Sequence, residues 1–332
     1  MSAHTHTNRP WSLCYLACLL FLLMDPTITF SQTTNTFPNK GIRIVVPYPP
    51  GGGADSNARL IAQKISIQLG QPIVIDNRPG ASGVLGAELV LQSRADGYTL
   101  LFDTFPYAVN AVMRKLPFDP IKDLLPVSQS INMPLILVVP TSSAYKSIKE
   151  LIDEARSHPG KLDYASYGAG GAAHLAAEML KREAAIDWVH VPYKGGPPAV
   201  SDLLAGRVSA YFANPVSSLS YIRAERLRAL ATTGRSRISI LPEIPTMIES
   251  GYKDFEVTEW NGLFTPVGTP PTVIKQLSQA VQEALENPDT RSRLLKMGIE
   301  PVGNSPEQFA TFLKGQIERW SSLIKSNGIR AD

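Results

Sequence analysis

Twice along this chain a short β-branched run breaks into a glycine-rich turn and re-emerges as a helix, and that repeated grammar limits the fold more than any other feature. The first run is Ile42–Val46. It stops at Pro47, Tyr48, Pro49 and Pro50, followed by Gly51, Gly52 and Gly53. Apolar residues then recur at 58, 61, 62, 65 and 69, the spacing of a helix with one buried face. Gly70 and Pro72 close that helix, and 72–76 reads as the next strand. The second copy opens at 162–166, turns through Tyr167, Gly168, Ala169, Gly170 and Gly171, runs as a helix over 172–183, and returns as a strand at 188–192.

The pattern continues between and beyond these units. A helix is predicted over 84–93 and strands over 98–102 and 135–139. A further helix is predicted over 147–157, ended by Pro159 and Gly160, and another over 198–205. Strands follow at 208–212 and 229–233. Such alternation predicts an α/β protein with parallel strands and helices packed on the sheet faces. Two copies of the unit, in a chain of 332 residues, predict two similar lobes. Helical patterns near 271–286 and 306–326 form a different tail. Trp320 and Leu323 share a face of the last helix and are expected in the core, where that helix returns to the first lobe.

The N-terminus obeys another logic. Arg9 precedes an apolar run over 13–24. About twelve apolar residues are too few to span a bilayer as a helix. A charged start, a short apolar stretch and small polar residues predict a secretory leader, residues 1–31, cut near Ser31. Both cysteines, Cys14 and Cys18, fall inside it, so thiol catalysis and zinc–thiolate or iron–sulfur sites are not expected in the exported chain. A net charge of +3 with no basic stripe speaks against nucleic acid as a partner.

The glycine-rich turns are the candidate chemistry. Glycines between a strand and a helix let backbone N–H groups converge on an anion, with the positive end of the helix behind them. Gly51, Gly52, Gly53 and Ala54 form one such nest, with Asp55 placed to cap the helix. Gly168, Ala169, Gly170 and Gly171 form the second, with His174 in the first helical turn expected to be structural. Gly168, Gly170 and Ala173 also fit a loose dinucleotide fingerprint. That fingerprint wants an acid after the following strand, and Asp187 lies before it. Tyr193 and Lys194 sit on a third strand-to-helix turn, where Lys194 could donate to an anion. No nucleophile elbow, nucleotide phosphate loop or helical histidine pair is present. Neither catalysis nor a metal nor a cofactor is expected.

These residues also carry a family resemblance. The matching stretches are 46–55, 76–80 (Asp-Asn-Arg-Pro-Gly), 96–101, 159–166, 190–195 (His-Val-Pro-Tyr-Lys-Gly), 202–206, 228–231, 241–246 and 260–266 (Trp-Asn-Gly-Leu-Phe-Thr-Pro). Together they resemble the Bug-type solute receptors, the extracytoplasmic binding components related to tripartite tricarboxylate transporters. The resemblance implies a two-lobe periplasmic-binding-protein fold, type II-like, each lobe a mixed, mostly parallel sheet flanked by helices. It implies lobe 1 from 38–139 plus 261–332 and lobe 2 from 140–260. It also implies a small carboxylate held in the inter-lobe cleft by backbone N–H groups and ordered water, in a monomer that serves membrane transporter subunits or a sensor kinase. The binding residues it implies are Tyr48, Pro50 to Asp55, Thr104, Phe105, Tyr167 to Gly171, His174, Tyr193, Lys194 and Asn214. An enzyme on the same scaffold is the competing class, and it lacks a nameable nucleophile or acid–base pair. Gly171 and Ala173 stand where relatives carry hydroxyls, and Tyr167 where a small residue is usual. With Phe105, this predicts a cleft more aromatic and less polar than that of an amino-acid binder.

Overall fold

The computed structural model describes residues 1–3 and 37–329. The leader beyond residue 3 and its cleavage site lie outside the described residues. From Pro38 onward the chain forms one compact unit built on two sheets.

The first sheet contains β1 (Ile42–Val46), β2 (Ile73–Asn77), β3 (Thr99–Thr104), β4 (Leu124–Pro134), β10 (Thr258–Pro266) and β11 (Glu300–Pro301), in the order β11-β4-β10-β3-β1-β2. The second holds β5 (Ile136–Pro140), β6 (Asp163–Ser166), β7 (Val189–Pro192), β8 (Ala210–Ala213) and β9 (Leu227–Thr232), in the order β7-β6-β8-β5-β9. Parallel pairing is confined to the strands of the repeated unit, β2-β1-β3 and β7-β6-β8. Every other pairing between these strands is antiparallel, so the sheets are mixed rather than mostly parallel. The cause lies in β4 and β10, two long strands that the sequence pattern hides. In β4 the polar run Ser128, Gln129 and Ser130 is buried. Asn304 bonds the Ser128 hydroxyl and the Gln129 amide, and the Asn261 carbonyl takes the Ser130 hydroxyl. A polar run buried on its own hydrogen bonds gives no alternation of apolar and polar residues. In β10, Gly262 reads as a breaker, yet a Cβ there would stand 2.1 Å from the Phe309 ring.

The helices are α1 (Gly53–Leu69), α2 (Val84–Leu91), α3 (Pro106–Met113), α4 (Ile148–Ser157), α5 (Ala172–Glu183), α6 (Gly196–Leu204), α7 (Pro215–Arg223), α8 (Pro271–Glu286), α9 (Pro288–Lys296) and α10 (Pro306–Asn327). α1 buries Ala58, Ile61, Ala62 and Ile65, the face its spacing predicts, and ends where Gly70 turns left-handed at φ 63°. α10 opens with a capping box, in which Ser305 and Gln308 each satisfy the other's backbone N–H. It packs on α3 and β4 of the first sheet's layer, with Trp320 and Leu323 buried.

The chain passes between the sheets twice. The first passage is Leu135, between β4 and β5, so Ile136–Pro140 belongs to the second sheet and the expected boundary at 140 is some four residues late. The second lies between β9 and β10, and Thr258 to Trp260 already belong to the first sheet rather than to a lobe ending at 260. Thr233 ties the two passages. It exchanges backbone bonds with Leu135 and Val257, while its hydroxyl accepts the Leu135 amide at 2.8 Å and donates to the Val257 carbonyl.

Candidate functional site

The first glycine-rich turn joins β1 to α1. Gly51 holds φ +80°, a conformation that glycine adopts without strain, and Gly52 is the extended N-cap. Asp55 does not fill the expected capping position. It sits inside the first helical turn, 3% exposed, and its carboxylate reaches back to accept the Gly51 amide at 2.9 Å. It also accepts from Asn77 Nδ2 and Arg59 Nε, both at 2.9 Å. The Arg59 bond, aided by those from Gly51 and Asn77, holds the acid down at about 2 against the opposing effect of burial. Asp55 is therefore an ionised knot that shapes the turn, and the Gly51 amide is engaged inward. Gly52 N–H points to the Pro49 carbonyl at 3.4 Å. The amides of Gly53, Ala54 and Asp55 are left at the helix start without a backbone acceptor. A Cβ on Gly51 or Gly53 would meet nothing within 4 Å, so space opens in front of them. Pro50, on the approach, is exposed.

Behind this turn lies a carboxyl that periodicity cannot reveal. Asp103, 1% exposed at the end of β3, accepts the Tyr48 hydroxyl at 2.8 Å and the Thr104 amide at 2.7 Å. Burial raises it to about 7. The Thr104 hydroxyl donates to the Tyr48 oxygen at 2.8 Å, so both expected binding side chains belong to this network. Phe105 is a clear correction. Its ring is 1% exposed and meets Trp320 edge-on at 5.2 Å, so it offers no face to a ligand.

The second turn joins β6 to α5. Gly168 and Gly170 hold φ +141° and +72°. The Gly170 amide donates to His174 Nδ1 at 3.0 Å, and the His174 ring stacks on His190 at 4.1 Å. Ser166 Oγ lies 2.7 Å from His190 Nε2 and accepts the Gly168 amide at 3.2 Å. Burial, with His190 adjacent, lowers His174 to about 4. His174 is thus neutral and faces the loop rather than a ligand, and Gly170 N–H is no free anion donor. The Ala173 amide reaches the Tyr167 hydroxyl at 3.3 Å. The amide of Ala169 in the turn, and those of Ala172 and His174 at the helix start, are left without a backbone acceptor. A Cβ on Gly170 would stand 2.9 Å from Met113 Sδ of α3, which brings this turn against the first sheet's layer. A Cβ on Gly171 would stand 2.6 Å from Tyr167 Cε2. The missing hydroxyl at 171 and the bulky ring at 167 are therefore one packing solution.

In the third turn the Tyr193 hydroxyl donates to Asp202 at 2.8 Å, and Asp202 also pairs with Arg207. Lys194 is exposed. The Asn214 side chain caps α7 by accepting the Ser217 amide at 2.9 Å.

A residue absent from the sequence expectations completes the site. Glu259 on β10 acts electrostatically on Tyr167, Tyr48 and Tyr211, pushing each hydroxyl up. Burial raises its acid above the usual range. Glu259 thus stands between the residues that open the two turns. Among the described residues no cluster of histidine, cysteine, aspartate or glutamate could hold a metal. A separate cavity of about 380 Å³ lies between α5 and α10, and its lining includes no residue of either turn.

Residues 57–329 match the tripartite tricarboxylate transporter family receptor. The chain belongs to that family. The BugT protein of Bordetella pertussis is 36% identical over 320 residues, 95% of this chain and 98% of BugT. An R. palustris protein solved with adipate is 34% identical, with a TM-score of 0.79 over 89% of this chain and 100% of the other. MatC from Rhodopseudomonas palustris, solved with bound malate, is 32% identical, with a TM-score of 0.75 over 87% of this chain and 100% of MatC. The TctC receptors are periplasmic solute-binding proteins of a two-domain α/β fold, and they are not enzymes.

Proposed function

We propose that this receptor captures a small organic carboxylate between its two glycine-rich turns and delivers it to the membrane subunits of a tripartite transporter. One observation carries the reading. Each turn fixes its own shape with interior bonds, Asp55 to Gly51 in one and His174 to Gly170 in the other. The first-turn amides of α1 and α5 are left over, Gly53 and Ala54 on one side and Ala172 and His174 on the other. Helix N-termini with unpaired amides favour anions without a cationic side chain. The carboxylates solved with two relatives support the ligand class. The lobes divide at Leu135 and within 233–257, the leader is removed near Ser31 on export, and the exported receptor acts as a monomer. Lys194 is a minor contributor, because it is exposed and most of the attraction is assigned to the backbone.

Calorimetric titration with malate, adipate and shorter carboxylates tests the reading. Saturable binding, with thermal stabilisation that grows with ligand concentration, is expected. Binding of a neutral sugar or a nucleotide, with no response to any carboxylate, overturns it.

A further inference from the structure

Glu259 is a carboxyl without a cationic partner, set where an anion is expected to bind. Its position is fixed from both sides. On β10 it shares a face with Asn261, two residues on. Asn261 lies opposite Thr104 in the β10–β3 ladder and accepts from Asn57 in the second turn of α1 at 2.9 Å. Glu259 therefore stands at the end of the sheet from which α1 departs. From the second lobe, the Tyr167 hydroxyl comes within its electrostatic reach. Among the described residues no lysine or arginine pairs with it. Within the reach of its charge, the Tyr211 hydroxyl is buried and has no hydrogen-bond partner. Buried polar groups in native proteins find partners, so an unpaired hydroxyl within reach of a solitary carboxyl marks a place for one.

A simple carboxylate held by the turns would meet a like charge at Glu259. Like charges repel more strongly where protein replaces water around them. A second carboxylate on the ligand makes this worse. A positive nitrogen a few atoms from the ligand's carboxylate turns the same residue into a partner. Gly171 and Ala173 supply no hydroxyl to such a nitrogen, so Glu259 is the acceptor at hand.

We propose that Glu259 sets the specificity of the cleft and that the receptor takes a short carboxylate bearing a positively charged nitrogen, its carboxylate on the helix N-termini and its nitrogen on Glu259. The inference rests on the carboxylate-receptor reading and narrows it.

Isosteric pairs test it. Glycine betaine and 3,3-dimethylbutyrate differ only in the charged atom, and 4-aminobutyrate and pentanoate differ in an ammonium against a methyl. Calorimetry should find the cationic member of at least one pair tighter by about ten-fold or more. Glu259→Gln, the same size without the charge, should erase that preference and leave the neutral member's affinity equal or higher. Equal affinities within both pairs, malate or adipate binding tighter than either cation, or an undiminished preference in Glu259→Gln overturns the inference and leaves the receptor reading standing. Failure of every carboxylate to bind overturns both.

Discussion

The Gly170 amide donates to Nδ1 of His174 at 3.0 Å, a bond that exists only while that nitrogen is unprotonated. The second turn therefore carries its own acid limit. His174 sits at about 4 in the folded chain against an ordinary 6.5. Between those values the unfolded chain binds the proton more readily, so stability is complete above pH 6.5 and falls as the pH drops toward 4. The loss is about 3 kcal/mol in all, at about 1.4 kcal/mol per pH unit.

Asp103 works in the opposite direction. Its folded value is about 7 against an ordinary 3.8, so its contribution is complete below pH 3.8 and is lost as the pH rises through 7, by about 4 kcal/mol in all. Between pH 4 and 6.5 the two slopes oppose one another. Urea midpoints of the parent chain should change little there. His174→Gln should lose stability as the pH rises across this window, and Asp103→Asn should gain it. Parallel profiles for the three proteins would show that neither group is coupled to folding.

The glycines of the two turns are not equivalent. Gly52 has φ −76° and a Cβ position 3.4 Å from the Pro49 carbonyl, an ordinary contact. Gly170 has φ +72° and a Cβ position 2.9 Å from Met113 Sδ. Gly52→Ala should stay within about 0.5 kcal/mol of the parent chain, and Gly170→Ala should lose about 1–3 kcal/mol. Denaturant midpoints decide this, and equal losses would contradict it. Positive φ belongs to Gly51, Gly168 and Gly170 and not to Gly52, a distinction that a run of glycines cannot express.

Tyr167 and Gly171 should behave as a unit. Gly171→Ser places a Cβ against the Tyr167 ring, 2.6 Å away in the parent geometry. Alone it should cost about 1–3 kcal/mol. In a Tyr167→Ala background the same change should cost close to nothing, giving a coupling of about 1–2 kcal/mol in a double-mutant cycle. Additive effects would mean that the ring moves aside freely.

What could be read in advance follows physical scale. β1, the first turn and α1 were legible because strand, glycine and helix signals lie side by side along the chain. Asp103 and Glu259 were not, because a carboxyl becomes special only when distant elements remove its water. Asp103 needs Tyr48 from 55 residues away, and Glu259 needs Tyr167 across the two sheets. Phe105 misled for the same reason, since only tertiary packing against Trp320 turns its ring inward. β4 and β10 stayed hidden because Ser128 to Ser130 and Gly262 imitate loop chemistry while buried.

Thr233 offers the last test, at the passage between the sheets. Its hydroxyl accepts the Leu135 amide and donates to the Val257 carbonyl, so one side chain satisfies backbone on both crossings. Thr233→Val keeps the shape and leaves both buried groups less satisfied, which should cost about 2–3 kcal/mol. Thr233→Ser keeps the hydroxyl and should lose less. Lobe closure in two-lobe receptors turns on a few residues at element ends. The valine variant should therefore also change the compaction on ligand addition seen by small-angle scattering, with the serine variant closing like the parent chain. A valine variant that matches the parent in both stability and closure would show that the crossings are held by their backbone bonds alone.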